Sequence, residues 1–141
     1  MNYLDAFTAL ILDWRRKDID AVLRRVTDDV VWHTHVGSPP AVGKEAMRKV
    51  LEPMAASVSD VKWRVFNHAV SGNKLLVEGV DDFVTPEGRR VAIPYMGILE
   101  FRDGLICAWR DYFDRGIFLK MKAGEPAPES FAPLLERPAV P

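Results

Sequence analysis

Two aspartates each share a predicted strand face with apolar residues. Alternation groups Asp81 with Leu75, Val77, Gly79 and Phe83 in segment 74–84, and Asp111 with Leu105, Cys107, Trp109 and Phe113 in segment 105–115. A carboxylate on an apolar face is costly unless it is paired or protonated, so two of them indicate a polar site maintained for acid–base chemistry. The alternative is that each aspartate ends its strand facing solvent, or pairs with Arg110 or Arg90.

A pair of histidines is the second feature with chemical potential. His33 and His35 lie in the β-rich stretch Trp32-His33-Thr34-His35, where alternation places them on one face, about 7 Å apart. Imidazole titrates near neutrality, so the pair could hold or activate a water molecule. With a carboxylate as third ligand it could instead bind a metal. The remaining interpretation is one histidine in the core and one on the surface.

Other candidate residues give weaker signals. Tyr95 alternates with Ile93 and Gly97, which makes it either a cavity wall with a hydroxyl in reach or part of the core. Cys107 is interpreted as a small buried side chain. The sequence contains no glycine-rich phosphate loop, paired CxxC motif or GxSxG elbow, so nucleotide-dependent, zinc-ribbon and serine-hydrolase classes are excluded.

Composition limits the partners. The 141 residues include 19 Lys and Arg against 20 Asp and Glu, a formal net charge of -1, which gives no electrostatic reason to expect nucleic acid or an anionic membrane. No apolar run approaches the ~20 residues of a membrane span. The first helix lacks a preceding cationic region and is interrupted by Asp5 and Asp13, unlike a signal peptide. We therefore expect a cytoplasmic protein.

Three helices are predicted before residue 60. Residues 2–16 repeat apolar side chains at helical spacing, a second helix starts after Asp18 and ends before Asp28, and a third follows Gly43. Its apolar face consists of Met47, Val50, Leu51 and Met54. A short strand over 30–36 separates the second and third helices.

Four longer strands follow, at about 60–71, 74–84, 89–101 and 105–115. The short links between them are typical of hairpins, so the strands form an antiparallel meander. Helices that cover the concave face of such a sheet make an α+β fold with an enclosed cavity. We expect one domain over 1–122 and a Pro-rich tail over 123–141, irregular or extended, that docks on the body or on a partner subunit.

Two stretches resemble a known family. The segments DDVVWHTHVGSPPAVGKEAM and GVDDFVTPEGRRVAIPYMGILEFRDGLICAWRDYFD, and above all WRDYFD, look like the nuclear transport factor 2-like superfamily, in particular its limonene-1,2-epoxide hydrolases and their SnoaL-like relatives. The resemblance covers roughly residues 3–118. It implies a cone-shaped curved antiparallel sheet covered by three N-terminal helices, and a homodimer.

The resemblance also implies roles for particular residues. In the epoxide hydrolases one Asp, with a Tyr and an Asn, deprotonates water, a second Asp protonates the epoxide oxygen, and an Arg bridges the two carboxylates. The base falls on Asp111 and the acid on Asp81. The substrate-binding positions of the family correspond to Phe83, Ile93, Tyr95 and Phe113. Trp109 and Gly79 share faces with the two aspartates and are also expected to contact the substrate.

Three positions depart from the family pattern. The bridging Arg is Gly79 here, and the Tyr and Asn that hold the water correspond to His33 and His35. Without a cation between them the two carboxyls cannot easily both ionise, so we expect one pKa to rise and the pair to share a proton. A cationic histidine would replace the missing charge, and Gly79 would leave space for a larger ring.

These observations predict an acid–base enzyme that needs no cofactor or metal and acts on a small, apolar, cyclic substrate, with epoxide hydrolysis as the first assignment. Asp111 is the expected base, Asp81 the acid, and His33 and His35 position water and compensate charge. One alternative is an isomerase or polyketide cyclase that removes a proton beside a carbonyl group, as in ketosteroid isomerase. Another is a non-catalytic protein that binds small ligands.

Overall fold

Three helices cover one face of a single sheet. The computed structural model describes residues 2–141. Its helices are α1 (Tyr3–Arg15), α2 (Ile19–Leu23), α3 (Lys44–Ser57), α4 (Arg115–Lys122) and α5 (Ala132–Leu135), the last preceded by a 3-10 turn at Glu129–Phe131. Its strands are β1 (Val26–His33), β2 (Ala41–Val42), β3 (Arg64–Ser71), β4 (Lys74–Val84), β5 (Arg90–Arg102) and β6 (Leu105–Tyr112). Within this described range, no helix combines the length and apolar character needed to cross a membrane.

The sheet has six strands in the order β2-β1-β6-β5-β4-β3. Strands β3 to β6 form the expected antiparallel meander, and β1 lies parallel to β6. The predicted α+β fold is therefore confirmed. Strand β1 precedes α3 and the whole meander in the chain, and its parallel pairing with β6 places it beside the last strand of the sheet.

Helix α1 provides much of the core that the sheet covers. Asn2 caps it by accepting a hydrogen bond from the backbone N–H of Asp5. Of the apolar face predicted from its spacing, Phe7, Ile11 and Trp14 are buried and Leu4 is half-buried; Leu10 is buried beside them. The Phe7 ring packs edge-on against the indole rings of Trp63, just before β3, and Trp109 on β6, at centroid distances of 5.3 and 5.7 Å. These contacts hold α1 over the concave face.

Several predicted boundaries differ from the structure. Helix α2 ends at Leu23, and β1 begins at Val26, where a helix was expected to continue. The β-branched residues that follow favour the strand, and Val26 pairs with Ile106 of β6. The strand therefore spans Val26–His33 rather than 30–36. Strand β6 likewise ends at Tyr112, because Asp114 caps an unpredicted helix, α4.

The Pro-rich tail folds back onto the chain's own body. Backbone N–H groups of Val65 and Val140 donate to each other's carbonyls, at 2.6 and 2.9 Å. The guanidinium of Arg137 donates to Glu78 and lies 4.5 Å from the centre of the Phe66 ring. The tail contains short helical turns, and its last residues cover part of the free edge of β3.

Candidate active site

A cavity of about 400 Å³ lies between the helices and the concave face of the sheet. All four tryptophans of the chain line it, together with Asp81 and Asp111. The other aromatic and aliphatic walls are Leu10, Val22, Val50, Leu51, Met54, Ile93, Tyr95, Phe113 and Phe118. The two carboxyls therefore face a largely apolar space of the size that holds a small organic molecule.

The register of β5 and β6 positions Asp111. Asp111 lies opposite Gly97, and a Cβ atom built on Gly97 would lie only 2.5 Å from Asp111 Oδ1. A glycine at this position therefore makes room for the carboxyl. The same oxygen accepts a hydrogen bond of 3.0 Å from Nε1 of Trp109. That donor stabilises the ionised form of Asp111.

Tyr95 lies between the strand positions of the two aspartates. On β5, Ile93 is opposite Asp81 and Gly97 is opposite Asp111, with Tyr95 midway. The Tyr95 hydroxyl oxygen accepts a hydrogen bond of 2.7 Å from Nε1 of Trp63. Because Trp63 can only donate, the hydroxyl proton of Tyr95 remains available to another acceptor.

Burial raises the pKa of both carboxyls. The pKa of Asp81 rises to about 7, chiefly through burial and then through the nearby charge of Asp82. The pKa of Asp111 rises to about 8, chiefly through burial, with the Trp109 hydrogen bond opposing the rise and the charge of Asp81 adding to it. Burial and the two aspartates also raise the pKa of Tyr95. One pKa was expected to rise through repulsion between the two carboxyls, but both rise, and burial is the chief cause. Between pH 7 and pH 8 the pair carries about one proton, mainly on Asp111.

Asp82 points to the opposite face of β4. It is only 2% exposed, and its carboxylate accepts from Arg90 at 2.8 and 3.1 Å and from Arg64 at 3.3 Å. The ion pair with Arg90, considered above for the site aspartates, is therefore made by Asp82. Asp81 lies in the cavity instead.

The space expected at Gly79 does not exist. A Cβ atom at this position would lie 2.2 Å from the backbone oxygen of Arg64 and 2.9 Å from the ring of Tyr95. The prediction that Gly79 leaves room for a larger ring is wrong, because the neighbouring strand and Tyr95 occupy that space. Gly79 does not line the cavity.

The two histidines do not share a face. In β1, Trp32 pairs with Trp109 and His33 pairs with Arg110, so Trp32 faces the cavity and His33 faces away from it. The strand ends at His33 and the chain bends, which brings His35 into the cavity wall. The shared face predicted for the pair is wrong, and the structure does not bring His33 to the site.

His35 is packed beside Asp111. Its ring lies 4.9 Å from that of Phe113, and the next residue, Val36, donates its backbone N–H to the carbonyl of Asp111 at 2.9 Å. Nδ1 of His35 is buried and has no partner within the described chain. His35 therefore brings a ring nitrogen with unused hydrogen-bonding capacity to the cavity wall.

Four polar cavity residues, Thr34, Ser38, Arg115 and Lys122, were missed by the sequence analysis. Thr34 lines the cavity two residues after Trp32. The large apolar side chain of Trp32 was the sequence signal that could have shown that Trp32 and Thr34, rather than His33, face inward. Arg115 and Lys122 reach the cavity from α4, which no pattern predicted. Among residues 2–141, no three His, Cys, Asp or Glu side chains converge as metal ligands would.

The remaining predicted wall residues divide between two spaces. Ile93, Tyr95, Trp109 and Phe113 line the large cavity. Phe83 lines an adjoining cavity of about 300 Å³ instead. The structure thus brings Asp81, Asp111, Tyr95 and His35 together with these walls.

Known proteins share this fold. Residues 4–109 match the model of the SnoaL-like domain family. An LEH-like epoxide hydrolase from M. tuberculosis is 27% identical, over 83% of this chain and 86% of that chain, with a TM-score of 0.72. A putative polyketide cyclase from Xanthomonas campestris is 20% identical over 84% and 95% of the two chains, with a TM-score of 0.67.

A putative isomerase from Rhodopseudomonas palustris is 14% identical over 89% of this chain and 98% of that chain, with a TM-score of 0.77. At these lower identities the cyclase and the isomerase show the fold alone. The family match spans most of the described helices and strands. The chain therefore belongs to the SnoaL-like domain family and has the NTF2-like fold, which epoxide hydrolases, polyketide cyclases and isomerases share.

Proposed function

We propose that this protein is a cofactor-independent acid–base enzyme that adds water to an epoxide on a small, apolar, cyclic substrate. The observation that carries the proposal is the pair of carboxyls, Asp81 and Asp111, inside one largely apolar cavity. Their pKa values are raised to about 7 and about 8, so one group can act as acid while the other acts as base near neutrality. The epoxide-hydrolase relative supports this choice of reaction.

The Trp109 hydrogen bond favours the carboxylate of Asp111, but burial outweighs it. The free pair therefore carries its proton mainly on Asp111, whose pKa of about 8 exceeds the value of about 7 for Asp81. We propose that the proton passes from Asp111 to Asp81 when the epoxide binds, because the epoxide oxygen accepts a hydrogen bond from the protonated Asp81. In the reactive state Asp111 removes a proton from water while the water oxygen attacks an epoxide carbon. The carbon–oxygen bond breaks, and Asp81 gives its proton to the departing oxygen, which yields a diol. The reaction leaves the proton on Asp111 and Asp81 ionised, which is the resting state of the free pair.

Thr34 and His35 are suited to hold the attacking water. Both line the cavity, and the backbone hydrogen bond from Val36 holds their segment against β6 beside Asp111. Thr34 can accept or donate a hydrogen bond, and the imidazole of His35 has a ring nitrogen, Nδ1, without a partner within the described chain. We therefore assign to this pair the water-positioning role that the sequence assigned to His33 and His35.

A second reaction is supported by the Tyr95 hydroxyl. Because Trp63 donates to its oxygen, the Tyr95 proton can stabilise a negative oxygen that forms in the cavity. Asp111 would then remove a proton next to a carbonyl group, and Tyr95 would donate to the resulting enolate. This arrangement fits an isomerase or a cyclase, and no water enters the product.

Oxygen-labelled water separates the two reactions. A panel of one-ring and two-ring alicyclic epoxides is incubated with the protein in labelled water, and the products are analysed by mass spectrometry. We expect a diol with one labelled oxygen. Absence of diol, together with solvent deuterium exchange into a cyclic ketone, would favour the proton-transfer reaction. Binding of these compounds without any turnover or exchange would indicate a ligand-binding protein.

Two glycine substitutions test the placement of Asp111. Gly97→Ala puts a methyl group 2.5 Å from Asp111 Oδ1, so the carboxyl must turn away while the backbone stays in place. We expect kcat/KM to fall about 100-fold, with the free energy of unfolding changed by less than about 1 kcal/mol. Steady-state kinetics and urea unfolding measure the two quantities.

Gly79→Ala is the matched control, since it makes the same chemical change on the neighbouring strand. Its new methyl group meets the backbone oxygen of Arg64 at 2.2 Å, and a backbone atom cannot rotate aside. We expect a loss of about 1–3 kcal/mol in the free energy of unfolding. Equal effects of the two substitutions on stability and on activity would contradict this account of Asp111.

A further inference from the structure

A second cavity adjoins the first at Asp81. It has a volume of about 300 Å³ and lies between the C-terminal end of α3, the segment that follows α3, the end of β4, and α4. The two cavities share five lining residues, which are Trp14, Met54, Asp81, Phe118 and Lys122. Asp111 borders only the first cavity. Asp81 therefore stands where the two spaces meet.

The walls of the second cavity are mainly apolar. Val58 and Val61 face Phe83, which belongs to a small hydrophobic cluster separate from the main core. Polar residues, among them Thr85 and Glu87, complete the lining. An apolar concave surface of this kind gains free energy when a hydrocarbon group replaces water on it.

We infer that the second cavity is a substrate subsite for an apolar arm, such as a second ring, carried by the molecule that reacts in the first cavity. This inference rests on the proposed function and specifies its substrate class as compounds with two linked or fused alicyclic rings. A single ring can bind in the first cavity without contact to the walls of the second. With the arm held beyond Asp81, the reacting carbon is directed toward Asp111 and the departing oxygen toward Asp81, because binding of a remote group fixes the orientation of the reacting one.

Substitutions at Val61 test the subsite. Val61→Phe adds a ring that occupies the second cavity, and Val61→Ala is the matched control that leaves it open. The probes are cyclohexanol, with one ring, and 4-cyclohexylcyclohexanol, with two. Binding is followed by tryptophan fluorescence, since all four tryptophans line the first cavity.

We expect the unmodified protein to bind the two-ring alcohol at least about tenfold more tightly than the one-ring alcohol. Val61→Phe should remove that preference and leave the affinity for cyclohexanol unchanged, whereas Val61→Ala should keep it. Thermal unfolding confirms that each variant folds, and Val58→Phe replaces Val61→Phe if the latter does not. A two-ring preference that survives both filling variants, or that is absent from the unmodified protein, would overturn the inference.

The same variants separate this inference from the proposed function. With the corresponding epoxides, Val61→Phe should lower kcat/KM for the two-ring substrate about tenfold or more and leave that for the one-ring substrate unchanged. Loss of the two-ring binding preference in Val61→Phe supports the subsite even if no epoxide is hydrolysed, in which case only the proposed reaction fails. Hydrolysis of both epoxides with equal efficiency in all variants would keep the reaction and overturn the subsite.

Discussion

Replacing Asp111 with Asn is expected to lower kcat for epoxide hydrolysis about 1,000-fold, because the amide cannot remove a proton from water. The fold should persist, since the Asn side chain has nearly the same volume as Asp and its oxygen can still accept the hydrogen bond from Nε1 of Trp109. Steady-state assays of diol formation measure the fall in kcat. Asp103→Asn is the control, because Asp103 is an exposed aspartate in the turn between β5 and β6.

The pH profile of the unmodified protein gives an independent signature of the same pair. Reaction requires one protonated and one ionised carboxyl. Below about pH 7 both groups tend to be protonated, and above about pH 8 both tend to be ionised, so kcat/KM should pass through a maximum between these values. Full activity of Asp111→Asn, or a rate that keeps rising above pH 9, would remove Asp111 and Asp81 from these roles.

The largest expected effect on stability is a gain in Asp111→Asn that grows as the pH rises from about 4 to about 8. Folding raises the pKa of Asp81 and Asp111 above the ordinary aspartate value of 3.8, so the folded protein binds these protons more tightly than the unfolded chain. The resulting stability is complete below about pH 4 and is lost as the pH rises through 7 and 8. The Asn side chain of Asp111→Asn cannot ionise, so this variant should not show the part of the loss that Asp111 causes.

We therefore expect the free energy of unfolding of Asp111→Asn to exceed that of the unmodified protein by an amount that grows about 2 to 4 kcal/mol between pH 5 and pH 9. Urea unfolding at the two pH values measures this growth, with Asp103→Asn as the exposed reference. A difference that stays constant with pH would show that Asp111 titrates normally in the folded protein. The same substitution thus removes activity and increases stability, as expected for a buried catalytic acid or base.

The homodimer that the family resemblance implies remains a prediction. The outer face of the sheet exposes Met96 and Tyr112, which lie opposite each other on β5 and β6 and are 56% and 50% exposed. Sedimentation of the unmodified protein measures its oligomeric state.

Local patterns in the sequence determined much of this protein. Alternation placed Asp81 and Asp111 correctly on inward faces, because side-chain direction alternates within an unbroken stretch of a strand. In β6 a bulge between Ile106 and Ala108 breaks the alternation, so Ile106, rather than the predicted Leu105 and Cys107, shares the buried face with Trp109. The spacing of apolar residues in α1 and the hairpin turns of the meander were equally local. Each of these features depends on residues close together in the chain.

Tertiary structure decided where those local patterns stop. His33 faces away from the cavity because pairing with β6 sets the phase of β1, and His35 enters it because the strand ends and the chain bends. The space at Gly79 is filled by Tyr95 and by the backbone of Arg64, which lie far from it in sequence. The raised pKa values likewise depend on burial by several elements. The face of β1 that points inward, the volume of the cavity and the burial of the carboxyls are properties of the folded chain. Each depends on atoms that only folding brings together.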